Sequence, residues 1–362
     1  MNDQDLRLAP EGRTDLADLK PYRAPQLDAP VKLNTNESPF PPPDSFTLEL
    51  QQRIAGLSLN RYPIRDFTEV REGLAGYLGT LTDRVWLANG SNEIILQLLL
   101  AYGGPERKVM TFEPTYGMHG QITRISGTRH LRARRNPDFT IHPEASIEAI
   151  QLHRPDVVFL CSPNNPTGNS NSAEEVIAIC EASSALVVLD EAYIEFAGRG
   201  HLRLVEECEN LVVSRSFSKS WRLAGARIGY LVAPPRIIEE VQKVRLPYHF
   251  SALSQATVLT ALNHVEEIMG TIETLNFERA KMFEELSTMR GVTAFPSDAN
   301  FILFRCESRP APEVWQALLD RGVLVRDFSD VPGCENCLRV SVGTHEENEK
   351  FLEALSVQLF PR

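Results

Sequence analysis

The chain has 362 residues, 43% hydrophobic and 23% charged, with 37 Lys+Arg against 48 Asp+Glu and a formal net charge of −11. That length gives two or three domains and a large buried core, which excludes a disordered chain and a disulfide-stapled miniature. The acidic balance argues against a nucleic-acid-binding surface but allows a small basic pocket around an anionic ligand.

The N-terminal stretch MNDQDLRLAPEGR is polar and charged and does not read as a signal peptide. Four prolines in Ser38-Pro-Phe-Pro-Pro-Pro-Asp44 forbid helix and favour an extended segment, so residues 1–40 are expected to form an arm onto the main body. Helical spacing of Phe67, Val70, Leu74, Tyr77 and Leu78 follows. Val85–Leu87 reads as a short strand, Asn92–Tyr102 as helix and Lys108–Phe112 as strand. The longest apolar run, Ile94–Leu100, contains Gln97 and is too short to cross a bilayer, so a soluble, cytoplasmic protein without a membrane partner is expected. The run Arg129–Arg135 holds four arginines and reads as a solvated strand.

Residues 156–160 form an apolar run that ends in turn residues. Ser172 with Glu175 makes a capping box before a helix to about Ser183. Leu186–Leu189, Leu211–Val213 and Ile228–Val232 are further buried strands. Short apolar strands alternating with helices predict an α/β fold whose mostly parallel sheet is covered on both faces. Beyond Pro247 the pattern changes to a long helix over 251–288, strands at Phe301–Phe304 and Leu338–Val342, and helices at about 312–321 and 346–359. The expected division is an arm (1–40), a large domain (41–250) and a smaller α+β domain (251–362).

Six cysteines show no regular framework and read as free thiols of a reducing compartment. Cys334 and Cys337 have the spacing of a metal or redox pair, but no second pair completes a zinc site, and no metal is expected.

In a parallel sheet, ligands bind beyond the carboxyl ends of the strands. Four strands here run into polar loops: Asn89-Gly90-Ser91-Asn92, Ser162-Pro-Asn164-Asn165, Asp190-Glu-Ala-Tyr193 and Ser216-Phe-Ser218-Lys219. The Gly90-Ser91-Asn92 turn opens a helix whose free N–H groups suit a phosphate, although Ser91 alone reads equally as an N-cap. Lys219 lies among small polar residues and could bind an aldehyde, with Ser216, Ser218 and Arg227 gripping that ligand's phosphate. Asp190 closes an apolar strand, where a carboxylate calls for a positive partner such as a protonated pyridine, or else caps the turn.

Together, SPNNPTG (162–168), DEAY (190–193) and SFSKSWRLAGARIGY (216–230), in this order and spacing, resemble the fold-type-I aminotransferases that use pyridoxal 5′-phosphate (PLP). LNTNESPF (33–40), RYP (61–63), ANGSNE (88–93), EPTYGM (113–118), DEAYIEF (190–196), VRD (325–327) and LRVSVGT (338–344) extend the resemblance, over nearly the whole chain, to the histidinol-phosphate aminotransferases. The resemblance implies that Lys219 forms the Schiff base and shuttles the proton, and that Asp190 pairs with the pyridine nitrogen. It implies that Asn165 and Tyr193 contact the ring's phenolic oxygen and that Tyr116 stacks on the ring. Ser91, Asn92, Ser216, Ser218 and Arg227 would cradle the phosphate, which Tyr62 would reach from the other subunit of a homodimer. On the substrate side it implies Arg339 for a carboxylate, Arg326 and Tyr22 for the substrate phosphate, and Asn36 of the arm to help close the pocket.

The expected activity is ping-pong transfer of an amino group between L-histidinol phosphate and 2-oxoglutarate, which becomes glutamate. An aromatic amino acid aminotransferase and a threonine-phosphate decarboxylase of the same fold remain alternatives, as does a PLP-binding protein without turnover. A dinucleotide enzyme is disfavoured because no G-x-G-x-x-G turn follows a first strand. Trp221-Arg222, after the lysine, departs from the smaller or apolar residues more usual in the family.

Overall fold

The computed structural model describes residues 11–21 and 25–359. In chain order it begins with β1 (Val31–Lys32), α1 (Asp44–Ala55), α2 (Thr68–Leu78), β2 (Val85–Ala88), α3 (Ser91–Tyr102), β3 (Lys108–Glu113), α4 (Gly117–Ile125), β4 (Arg129–Arg134) and α5 (Pro143–His153). The middle of the chain forms β5 (Val157–Cys161), α6 (Ala173–Glu181), β6 (Leu186–Asp190), α7 (Ile194–Ala197), β7 (Leu211–Ser216), β8 (Gly229–Val232) and α8 (Pro235–Val244). It ends with α9 (Ala252–Asn263), α10 (Val265–Met269), α11 (Ile272–Thr288), β9 (Val292–Ala294), β10 (Phe301–Cys306), α12 (Ala311–Leu319), β11 (Val323–Leu324), β12 (Arg326–Asp327), β13 (Cys337–Ser341) and α13 (His345–Leu359).

Seven strands form the large sheet in the order β2-β8-β7-β6-β5-β3-β4. All pairs are parallel except the two made by β8, which runs against β2 and β7. The carboxyl ends of β2, β3, β5, β6 and β7 therefore share one edge with the start of β8, where Gly229 is the register partner of both Ala88 and Ser216. β5 and β6 are buried along their whole length, which explains their unbroken apolar sequence. β4 lies at the sheet edge, and its exposed arginines discourage pairing with another chain. Arg135 departs from the solvated strand expected there. It is buried, and its guanidinium donates to the carbonyls of Phe112 and Phe139.

The second sheet, β12-β13-β10-β9, is antiparallel and packs with α11, α12 and α13 around Phe301, Phe304, Leu318 and Phe351. Val31 and Leu33 of the arm join this core, and β1 pairs in parallel with β11. Asn34–Asn36 are thereby held between the two sheets. α/β architecture with a large, mostly parallel sheet and a smaller α+β unit is thus present.

Local chemistry agrees with most of the sequence pattern. Both hydrogen bonds of the Ser172–Glu175 capping box form at the start of α6. The expected long helix over 251–288 is instead three helices. It breaks at His264, whose backbone leaves the helical region at φ −119° and whose ring bonds Glu49 and Glu267. The expected division near residue 250 falls between α8 and α9, and Val258 and Ala261 bury α9 among residues of the large-sheet core. Trp221 is fully buried against Phe217 and Tyr77, and Arg222 donates to the carbonyls of Pro41 and Glu267, so the unusual pair is structural.

Candidate active site

Gly90 follows β2 with φ +90°, a conformation that glycine adopts without steric cost. The turn starts α3, which has no side-chain cap, so its first-turn N–H groups face outward. A Cβ on Gly90 would meet Arg227 Nη2 at 2.7 Å, and one on Gly229 would meet the Ser91 backbone nitrogen at 2.3 Å. Two glycines thus let the helix start, the beginning of β8 and the Arg227 guanidinium come together. Arg227 Nη1 donates to Ser218 Oγ at 3.2 Å, and the Ser218 N–H donates to Ser216 Oγ at 3.1 Å. Helix N–H groups, two hydroxyls and a guanidinium in one concavity form a cradle for a dianionic phosphate.

Beside the cradle, Tyr116 caps the start of α4, and its hydroxyl donates to Asn92 Oδ1 at 3.3 Å. One helical turn later comes a residue that the sequence reading missed. His119 is fully buried, stacks on Phe159 at a centroid distance of 4.6 Å, and lies edge-on to Tyr116. Its Nε2 donates to Asp190 Oδ2 at 3.0 Å. The other Asp190 oxygen accepts from the Ala192 N–H at 3.2 Å. The i to i+3 spacing from Tyr116, on one face of a helix beginning just beyond β3, was the available signal.

Lys219 Nζ donates to the Thr35 carbonyl at 2.9 Å and lies 5.8 Å from the centre of the Tyr193 ring. Burial, with the positive charges of Arg339 and Arg227, lowers its pKa to about 7. Much of the amine is therefore neutral and nucleophilic near pH 7. Burial pushes the Tyr193 phenol up to about 12, so it stays a hydrogen-bond donor. Its oxygen accepts from Asn165 Nδ2 at 3.2 Å and from Asn36 Nδ2 at 3.0 Å.

Arg339 sits on β13 with its guanidinium 5.0 Å from the rings of both Phe301 and Phe328. It donates to Asn165 Oδ1 at 2.5 Å and to the Asn34 carbonyl at 2.9 Å. Arg326 on β12 is its direct cross-strand partner, so two arginines share one end of the small sheet. Such a pair suits an anionic substrate group.

Lys219, Asp190, Tyr193, Asn165, Tyr116, Ser91, Asn92, Ser216, Ser218 and Arg227 all lie along one edge of the large sheet. Arg339, Arg326 and Asn36 meet it from the small sheet and the arm. Tyr62 is not drawn in. It stands 80% exposed at the surface, its ring stacked on Tyr248. Tyr22 lies outside the described residues. All six cysteines are buried free thiols, and Cys334 and Cys337 close a turn beside Phe139 and Leu303. Among the described residues no cluster suits a metal ion, and no helix is long and apolar enough to cross a membrane.

PLP fits these residues on three counts. The cradle that glycine keeps open would suit its phosphate, the partly neutral lysine its aldehyde, and the buried Asp190 carboxylate a protonated ring nitrogen. The profile of the "Aminotransferase class I and II" family matches residues 28–355. A histidinol-phosphate aminotransferase from Streptomyces avermitilis is 49% identical over 356 residues, covering 95% of each chain. One from Frankia casuarinae is 46% identical over 359 residues, covering 95% of this chain and 89% of that one. The crystal structure of histidinol-phosphate aminotransferase from Sinorhizobium meliloti in complex with pyridoxal-5′-phosphate superposes with a TM-score of 0.85. It is 25% identical and covers 96% of this chain and 97% of its own.

Proposed function

The chain belongs to the class I and II aminotransferases, and we propose that it moves the amino group of L-histidinol phosphate to 2-oxoglutarate, a step of histidine biosynthesis. The observation that carries this reading is the likeness, over about 95% of the chain, to relatives named for that reaction.

Bound in the cradle, PLP supplies an electrophilic aldehyde and an electron-accepting ring, which make the substrate's α-proton removable. The protein's part is to orient groups and move protons. Lys219 Nζ, partly neutral near pH 7, would bind the aldehyde of PLP and would serve as the base for the substrate's α-proton. Asp190, oriented by His119 and the Ala192 N–H, would hold a protonated pyridine nitrogen. Tyr193 would donate its hydroxyl hydrogen to the phenolic oxygen of PLP.

A ping-pong cycle requires one pocket to take a phosphate ester and then a dicarboxylate. Arg326 and Arg339, side by side on β12 and β13, offer both anions the same guanidinium groups. A substrate carboxylate displaces Asn165 Oδ1 and the Asn34 carbonyl from the Arg339 fork. Tyr22 and Arg326 are assigned to the substrate phosphate. We assign the protein to the cytoplasm as a homodimer whose Tyr62 reaches the phosphate cradle of the other subunit. The exposure of Tyr62, with exposed Leu59, Ile64 and Leu246, supports a covered face there.

Product formation from L-histidinol phosphate with and without 2-oxoglutarate tests the reaction. Sustained turnover should require the 2-oxo acid, and glutamate should appear in step with product. Release of carbon dioxide from a phosphorylated amino acid, without a 2-oxo acid, would point to a decarboxylase instead. Lys219→Ala should bind PLP without covalent attachment and show no sustained turnover.

A further inference from the structure

Asn36 of the arm is bonded through both its backbone and its side chain. It is 1% exposed and adopts a left-handed backbone at φ +56°. Its carbonyl accepts from Asn300 Nδ2 at 3.1 Å. Its N–H donates to Ser341 Oγ at 2.9 Å, and Ser341 Oγ lies 3.0 Å from Asn36 Oδ1. Ser341 Oγ accepts from that N–H and donates its own hydrogen to Asn36 Oδ1. That donation holds the amide oxygen toward Ser341. The Nδ2 group is left facing Tyr193 Oη at 3.0 Å.

Asn165 Nδ2 is the second donor to the same phenol oxygen, at 3.2 Å. Two incoming N–H groups fill the acceptor directions of that oxygen, so its hydrogen must point elsewhere. On the reading given above, on which this inference rests, the group waiting there is the phenolic oxygen of PLP. We propose that Ser341 and Asn36 are a positioning pair that aims the Tyr193 hydroxyl hydrogen at the cofactor. The reactivity of the cofactor is thereby tuned from strand β13, two residues beyond Arg339, through a residue of the arm.

Without the Ser341 hydroxyl nothing distinguishes the two ends of the Asn36 amide. The amide is then free to turn its oxygen to Tyr193, which donates to it and leaves the cofactor. A phenolate that has lost a donor is more basic, so the lysine-bound cofactor keeps its proton to higher pH. The ionisable groups facing this network are Lys219, Arg339, Asp190 and Cys161, and none is altered by substitution at Ser341.

The test is a pH titration of the visible band of the purified, PLP-loaded protein. Ser341→Ala should raise the midpoint by about one pH unit, the scale on which a lost hydrogen bond to a charged form moves a titration. Ser341→Thr, which keeps the hydroxyl, should titrate like the wild type. Asn36→Asp, nearly isosteric, should raise the midpoint by drawing the hydrogen to its carboxylate, and it decides the matter if Ser341→Ala fails to fold. In a Tyr193→Phe background, Ser341→Ala should add nothing, because the route runs through that hydroxyl. Unmoved midpoints in folded, loaded variants would overturn the inference. So would a threonine variant that shifts like alanine, or the same upward shift without the Tyr193 hydroxyl. A wild-type protein with no visible band would instead contradict the PLP reading itself.

Discussion

Lys219 shows how burial and neighbouring charge prepare a side chain for its chemistry. Desolvation disfavours the ammonium, Arg339 and Arg227 add to the effect, and the pKa falls from 10.5 to about 7. Only the neutral amine attacks an aldehyde. Attachment of PLP to the apoprotein, followed by stopped-flow absorbance, should therefore speed up as pH rises through about 7 and level off above it. A rate still climbing steeply at pH 9 would mean that the amine is not perturbed in this way. Lys219 and Asp190 were legible in the sequence because each stands in a short polar segment beside an apolar strand. His119 was not, since its spacing from Tyr116 does not reveal that α4 aims it at Asp190, at the end of the separate strand β6. The tasks of Asn36 and Ser341 were hidden for the same reason, being 305 positions apart.

At the level of elements, the strands of the large sheet could be read directly. The apolar runs of β5 and β6 are short, and burial along their whole length accounts for them. Helices α1, α4, α5 and α8 were not foreseen. α1 buries only Phe46 and opens immediately after three prolines, so its apolar stripe is faint. The reversal of β8 was equally illegible, because direction depends on a connection and not on composition. What fixes the ends of β6 and β7 relative to each other is a buried ion pair. Arg215 on β7 donates to Glu191 Oε2 at 2.9 Å through Nε, while His201 Nδ1 and the His201 N–H bond the other carboxylate oxygen. These interactions outweigh the burial of Glu191 and hold its pKa below the usual 4.5. A lowered carboxyl pKa makes a contribution that is fully present above about pH 4.5 and is lost as pH falls through the folded-state value. Glu191→Gln leaves the Arg215 charge buried without its partner and should cost about 3–5 kcal/mol in urea unfolding at pH 7. A loss below about 1 kcal/mol would show that the pair does not hold the two strand ends.

Considered as a whole, the molecule builds its site from three parts that meet at one edge of the large sheet. The large sheet brings Lys219, Asp190 and the phosphate cradle, the small sheet brings Arg326 and Arg339, and the arm brings Asn36 between them. A fourth part belongs to the proposed second subunit. Sedimentation should find a dimer at micromolar concentration, and Tyr62→Phe should weaken PLP binding roughly tenfold or more, the effect of removing one hydrogen bond to a charged group. A monomer with unchanged PLP affinity in Tyr62→Phe would contradict the shared site. The most direct test of the whole account is the absorbance spectrum of the PLP-loaded protein before and after L-histidinol phosphate is added without any 2-oxo acid. The account predicts loss of the visible band and growth of the near-ultraviolet band of pyridoxamine phosphate, and recovery of the first band when 2-oxoglutarate follows. A visible band that histidinol phosphate leaves untouched, but that phenylalanine or tyrosine removes, would contradict the assigned substrate.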